Sequence, residues 1–401
     1  MKSVIANPNP GSPLRRRSVW HPLRLAKLLF LLSAVAAVPT AARILWVNAA
    51  IADFERLGAE VFIVRSPSFQ GSKVLQWYSL LIGDSKTEVA LAGKSVTDAD
   101  LGRLDRLVNV RQLALESTPI SDAAMKHVGR LAALKNLSLK NTRISDAGLA
   151  ELAGLPRLGS LDLSGTPVTD PAMEHLQGMN KLQSLKLADT SITDAGIGRL
   201  GGLTQLTRLD LTGTQVTLAG TKDIDRWGML RQLTLRNTRV GDQGLEHLAA
   251  WPCLGYLDLS GTRLTDAGMR QLRGLTRLCN LNLKNTAVSD SGLEHLAGLV
   301  NLNTLNLSGT RVAGTGLRHL KGMTWFRDLD LSSTPIADDA LAHLANMRTL
   351  LTLNLANTAI TDAGLKHLQG LPLQCLNVNG TRVSRKGLDL VERLNAAGRS
   401  E

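Results

Sequence analysis

From about residue 89 onward, apolar positions recur with one fixed spacing. Aligning the chain on L-x-x-L-x-L gives units starting at Val110, Leu134, Leu158, Leu182, Leu206, Leu230, Leu254, Leu278, Leu302, Phe326 and Leu350, each 24 residues after the last. The next unit starts at Leu373, one residue early, and a degenerate first copy begins near Val89-Ala90-Leu91. In the unit from Leu182 to Gln205, Leu185 and Leu187 alternate with Ser184, Lys186 and Ala188, which is the period of a short strand with one buried face. Thr190 ends the strand, Ile192 points back toward the core, and Ile197, Leu200 and Leu203 recur at helical spacing. One unit cannot bury both its strand and its helix. Stacked copies can, so the pattern predicts an α/β solenoid with a continuous parallel sheet on one face and short helices on the other.

Two polar columns run through the repeat. Thr118, Thr142, Thr166, Thr190, Thr214, Thr238, Thr262, Thr286, Thr310, Thr334, Thr358 and Thr381 stand where the chain turns inward after each strand. A hydroxyl both donates and accepts, so this column is expected to be a structural ladder bridging neighbouring coils. Asp98, Asp122, Asp146, Asp170, Asp194, Asp242, Asp266, Asp290, Asp338 and Asp362 follow it, just before each helix, where N-capping is expected. The unit from Leu206 departs with Leu218 for Asp and Thr221 for a helix Leu, a gap that Trp227 is expected to fill. The unit from Leu302 has Gly314 for Asp.

The consensus L-x-x-L-x-L-x-x-T-x-[IV]-[ST]-D-x-[GA]-L-x-x-L-x-x-L over residues 89–394 resembles the leucine-rich-repeat family. It is most similar to the cysteine-containing subfamily, with Thr in the Cys/Asn position. The layout also resembles bacterial membrane-anchored leucine-rich-repeat proteins, with Trp46-Val47-Asn48 and Leu57-Gly58-Ala59 in the places of a W-x-N segment and a Leu-Gly-Gly. The resemblance implies a right-handed arc or horseshoe, sheet concave and helices convex, used for binding.

Composition sharpens the outer segments. Of five Phe, six Trp and two Tyr, most precede residue 90: Trp20, Phe30, Trp46, Phe54, Phe62, Phe69, Trp77 and Tyr78. The net charge of +12 also concentrates early, because Lys2, Arg15, Arg16, Arg17, Arg24, Lys27 and Arg43 precede the first acid, Asp53. The remaining charge is interspersed, which argues against nucleic acid as a partner. Behind the cations, residues 28–42 are uncharged and mostly apolar. A cleaved signal peptide would end near Ala34-Val35-Ala36 or Thr40-Ala41-Ala42. An uncleaved anchor of about 20 residues fits Leu25–Val47 if Arg43 snorkels beside Trp46, and the long basic leader favours it. The expected organisation is a basic cytoplasmic leader (1–27), an anchor or signal segment (28–47), an N-terminal cap (48–88), the repeat array (89–394) and a polar tail (395–401). Both readings send the repeats across the membrane.

Twelve strands at about 4.8 Å spacing give an inner face of roughly 50–60 Å. Its side chains are polar and nearly free of aromatics, whereas tight interfaces rest on Trp, Tyr and Arg. The candidate partner-binding patch is therefore mid-array: Arg208, Asp210, Gln232, Arg236, Tyr256, Asp258 and Asn280. A protein partner is expected, or a cell-envelope polymer associating without a discrete hot spot. His127, His175, His247, His295, His319, His343 and His367 share one repeat position, but helices about 8–10 Å apart hold imidazoles too far apart to share a zinc. Arg143, Arg239, Arg263, Arg311 and Arg382 form a turn column expected to be a solvated edge. Cys253, Cys279 and Cys375 show no metal or disulfide spacing. With no nucleophile–base set, phosphate loop or dinucleotide fingerprint, neither enzyme activity nor a cofactor or metal is expected.

Overall fold

A computed structural model describes residues 42–43, 45–64, 86–219 and 224–389. The chain divides into two compact units, 1–49 and 50–401. In the first, residues 42–43 and 45–49 are helical, and Leu45 and Trp46 are exposed. The expected membrane segment, 28–47, lies largely outside the described residues. Among those described, no helix is long and apolar enough to cross a membrane.

The second unit turns the 24-residue period into coils. Alternation of one inward Leu with polar neighbours gives strands β1 (Glu60–Val64), β2 (Lys86–Ala90), β3 (Val110–Ala114), β4 (Asn136–Ser138), β5 (Ser160–Asp162), β6 (Ser184–Lys186) and β7 (Arg208–Asp210). The series continues with β8 (Gln232–Thr234), β9 (Tyr256–Asp258), β10 (Asn280–Asn282), β11 (Thr304–Asn306), β12 (Asp328–Asp330), β13 (Thr352–Asn354) and β14 (Cys375–Asn377). All fourteen form one sheet in chain order. Neighbours from β2 onward are parallel, as successive turns of one coil require, and each repeat aligns with the next without slippage from β3 to β14. The central leucines, from Leu113 through Leu209 and Leu257 to Leu353, therefore stack in one row at 2% exposure or less. Burying each such side chain contributes about 1.5–3 kcal/mol.

The sheet departs from the expected all-parallel form at its start. β1 runs antiparallel to β2, pairing Glu60 with Ala90 and Val64 with Lys86, and so covers the hydrogen-bonding edge of the first coil. Phe54 is fully buried while Phe62 is exposed. Phe69, Trp77 and Tyr78, assigned to the same cap, lie outside the described residues, as do Val391 and Leu394 of the last helix.

Opposite the sheet lie single α-turns such as Asp146–Ala150 and Asp194–Gly198, or 3-10 segments such as Asp242–Ala250. Thr221 is not among the described residues, but Trp227 is fully buried and stacks on Trp251 with ring centroids 6.0 Å apart. Both indole N–H groups find backbone acceptors: Trp227 donates to Leu200 O at 3.2 Å and Trp251 to Ile224 O at 2.9 Å. Leu218 sits in the left-handed region at φ 60°.

Neither polar column plays the role expected of it. The threonines do not bridge coils. Thr118 Oγ1 donates to Leu115 O at 2.7 Å within its own turn, and the same bond recurs in each coil through to Thr381, which donates to Val378 O at 2.6 Å. The aspartates are not N-caps. That place belongs to the preceding Ser or Thr, as where Ser145 Oγ accepts from Ala147 N and Thr193 Oγ1 from Ala195 N. Each Asp but Asp290 instead reaches across to the next coil, where one carboxylate oxygen accepts the backbone N–H of the next cap residue and the other accepts its hydroxyl.

This two-point clamp occurs at nine steps among the described residues, with N···Oδ1 at 2.7–2.9 Å. The physical reason is spacing: stacked coils bring residue i+23 to the carboxylate of residue i, closer than the amides of its own helix. Where a glycine stands two positions after the Asp, it follows from the same packing. At Gly148, a Cβ would fall on the carboxylate of Asp122 from the preceding coil.

Candidate binding face

The sheet face opposite the leucine row is open, and the register decides which of its side chains are neighbours. Arg208, Gln232, Tyr256 and Asn280 are direct partners on β7, β8, β9 and β10. They make one row across four strands, roughly 14 Å from first to last. Arg208 and Gln232 are exposed, while Tyr256 and Asn280 are half-buried.

The next row is Asp210, Thr234, Asp258 and Asn282. Its carboxylates are turned to local work. Asp210 Oδ1 accepts from Thr212 N at 3.0 Å and Thr212 Oγ1 at 2.6 Å. Asp258 is 6% exposed, with Oδ1 accepting from Ser260 N at 2.8 Å and Oδ2 from Asn282 Nδ2 at 3.1 Å. The same short turn recurs where Asn306 and Asp330 accept from Ser308 N and Ser332 N, so this column shapes the strand exit rather than offering free carboxylates. Arg236 is exposed beyond β8, and its carbonyl accepts from Gly213 N.

Tyr256 is the electrostatic centre of the patch. Burial pushes its phenol pKa above the usual 10.0, and the negative charges of Asp258 and Asp210 add to the shift. The hydroxyl, protonated at neutral pH like any phenol, can both donate and accept. A semi-rigid aromatic flanked by the amides of Gln232 and Asn280, with exposed Arg208 two strands away, has the composition of an interface anchor.

Sequence reasoning missed the rim at the strand entrances. The residue just before each unit's first Leu faces outward there, and this column includes Arg157, Lys181, Met229, Arg277 and Trp325. Trp325 is 58% exposed. Only strand alternation had been used to assign a face, so a column one residue outside the strand pattern was not counted. On this rim a groove of about 870 Å³ crosses β3 to β7, with Arg111, Lys135, Arg157, Lys181 and Arg208 among its lining. A smaller groove of about 410 Å³ follows, bordered by Tyr256, Arg277, Cys253 and Cys279.

The histidine column is half-buried on the helical side, apart from exposed His367. His127 Nδ1 lies 3.1 Å from Asp105 and His247 Nδ1 3.0 Å from Asp225, while Arg273 Nε donates to His295 Nδ1 at 2.9 Å. Burial first, then the charge of Arg273, holds His295 below the usual histidine value. Among the described residues no three His, Cys, Asp or Glu side chains come together as a metal set would.

A coil repeated every 24 residues, with a stacked leucine row, a parallel sheet and single-turn helices, defines a solenoid of repeats. Models of the leucine-rich repeat match residues 252–312 and 346–368. The chain is a leucine-rich-repeat protein. Similar solved structures include an internalin (inlF) from Listeria monocytogenes, at 21% identity over 75% of this chain and 88% of that one, with a TM-score of 0.54. A TDR receptor is similar at 15% identity over 76% of this chain, with a TM-score of 0.53, and this chain covers 54% of the receptor. At such identities the likeness is one of fold. Among curated proteins, none matches the sequence.

Proposed function

We propose that this chain is a non-enzymatic scaffold whose open sheet face docks a protein partner, centred on Arg208, Gln232, Tyr256 and Asn280. The observation that carries the reading is the register, which sets an exposed arginine, an amide, a tyrosine and a second amide side by side on four adjacent strands. The leucine-rich-repeat architecture supports it, since such arrays stack their units into extended surfaces. The test compares proteins co-isolated with the wild type and with Arg208→Ala and Tyr256→Ala chains. The same partner should be lost from both variants, while the exposed Arg208 variant stays within about 0.5 kcal/mol of wild type, as surface substitutions allow, and the half-buried Tyr256 variant keeps a cooperative unfolding transition. Unchanged co-isolation would contradict the reading.

The reading extends to a tether. The unbroken run of cations before an apolar segment favours an N-terminus held in the cytoplasm, residues 28–47 as the anchor and the repeats outside the cytoplasmic membrane. Protease added to intact cells whose outer layer alone is permeabilised should remove a C-terminal tag from a membrane-bound chain. A soluble exported chain would indicate cleavage of the segment, and a protected tag would place the repeats inside.

A further inference from the structure

The rim groove concentrates five cations from five successive coils. On the helical side some cations meet acids: Arg130 with Asp105 at 3.1 Å, Arg199 with Glu174 at 3.2 Å and Arg273 with Glu294 at 3.2 Å. On the open face Lys186 meets Asp162 at 3.2 Å. The groove across β3 to β7 gathers Arg111, Lys135, Arg157, Lys181 and Arg208, and no acid is in its lining. Lys135, Arg157, Lys181 and Arg208 are exposed and have no carboxylate partner among the described residues; Arg111 reaches only the Asn109 amide oxygen, at 3.4 Å. Bare backbone forms part of the floor at Gly159, whose N–H is already given to Lys135 O at 2.8 Å. Holding these like charges on one groove is unfavourable unless negative charge is supplied from outside.

We propose that this groove binds an extended acidic segment of a protein partner, so that the partner is held at Tyr256 by docking and along the rim by charge. The proposal rests on the open-face reading and names the partner's chemistry. Dimensions suit a strand-like peptide: the cations span five coils, roughly 19 Å, which about six extended residues would cover. The polar lining suits it too, since the amides of Asn136 and Gln183 and the hydroxyl of Ser184 can meet a peptide backbone. Single-stranded nucleic acid and sugars favour aromatic platforms, and the lining contains none. Arg208 belongs both to this groove and to the four-strand row, so the two surfaces are continuous.

The experiment is fluorescence anisotropy of a labelled oligo-glutamate peptide titrated with the full-length chain. The wild type should bind, more weakly as salt rises. The double reversal Lys135→Glu with Lys181→Glu should weaken binding by about tenfold or more. The equal change of charge at Arg263→Glu with Arg311→Glu, beyond the other ends of the strands, should leave affinity within about twofold. Equal loss in both double variants would mean attraction by net charge alone and would overturn the proposal. So would the absence of oligo-glutamate binding, or a clear preference for heparin or single-stranded DNA in the same groove. Tyr256→Ala separates the two readings: it should spare oligo-glutamate binding while releasing the partner. Partner loss in Tyr256→Ala but not in the lysine reversals would leave the open face standing and the groove refuted.

Discussion

Asp170 joins two coils through Thr193, whose N–H lies 2.8 Å from one carboxylate oxygen and whose hydroxyl lies 2.5 Å from the other. Hydrogen bonds to a charged group contribute about 1.5–3 kcal/mol, with the lower end apt for a part-buried site. Asp170→Ala should therefore lower unfolding free energy by about 1–2 kcal/mol and Thr193→Val by about 1. Combined, they should cost less than their sum, because they share one interaction. Strict additivity in denaturant titrations would contradict the clamp. Tyr256 gives a second residue-scale test. With Tyr78 as the other tyrosine, absorbance titration should show one phenol ionising above 10.0, and Asp258→Asn should bring it down. The sign follows from the charge: removing a nearby anion eases formation of phenolate. No movement of that transition would place Tyr256 away from Asp258.

At the scale of elements, each short helix is held by the coil before it. The sequence itself records the pairing: where Leu218 and Gly314 replace the Asp, Gly241 and Ala337 replace the hydroxyl residue 23 positions on. Asp290 faces Ala313, and there the carboxylate takes backbone N–H groups of Ala313, Gly314 and Gly316 instead. The turn after the strand has its own logic. Position by position from Asn141 to Gly309 it alternates Asn or Asp with Gly, all at positive φ. At Gly261 the residue has φ +67°, and a Cβ would also strike the side-chain oxygen of Asn237 from the coil before. Glycine there answers both the backbone and the neighbour.

The last described clamp is sensitive to acid. Hydrogen bonds from the Ser384 hydroxyl, then from its N–H, hold Asp362 below the ordinary 3.8. A lowered folded pKa stabilises above the unfolded value, and that contribution is lost as pH falls below 3.8 through the folded value. Amide exchange at Ser384 to Gly387, corrected for intrinsic rates, should accelerate over that window, and Asp362→Asn should remove the dependence. An unchanged pH profile in the variant would contradict this.

For the molecule as a whole, strands, helices and their order were legible because one Leu spacing serves every coil, and alternation alone told which strand residues face outward. That alternation places Arg208, Gln232 and Tyr256 on the open face. The Asp and Thr roles were not legible, since residue i+23 becomes a neighbour only once coils stack. The Leu218–Gly241 and Gly314–Ala337 pairs were nonetheless a readable sign of it. β1 was hidden because an antiparallel cap carries no repeat. The rim groove was hidden because its cations come from different repeat positions, and averaging charge over the array dilutes them. The fold therefore follows from period, while the candidate surfaces follow from register.

The most direct measurement of the docking reading is photo-cross-linking in living cells, with a photoreactive residue at Gln232 on the open face or at exposed Glu246 on the helical side. A discrete protein adduct from position 232, absent from position 246 and lost on adding Tyr256→Ala, is the expected result. Adducts of equal yield from both positions, or from 246 alone, would contradict it.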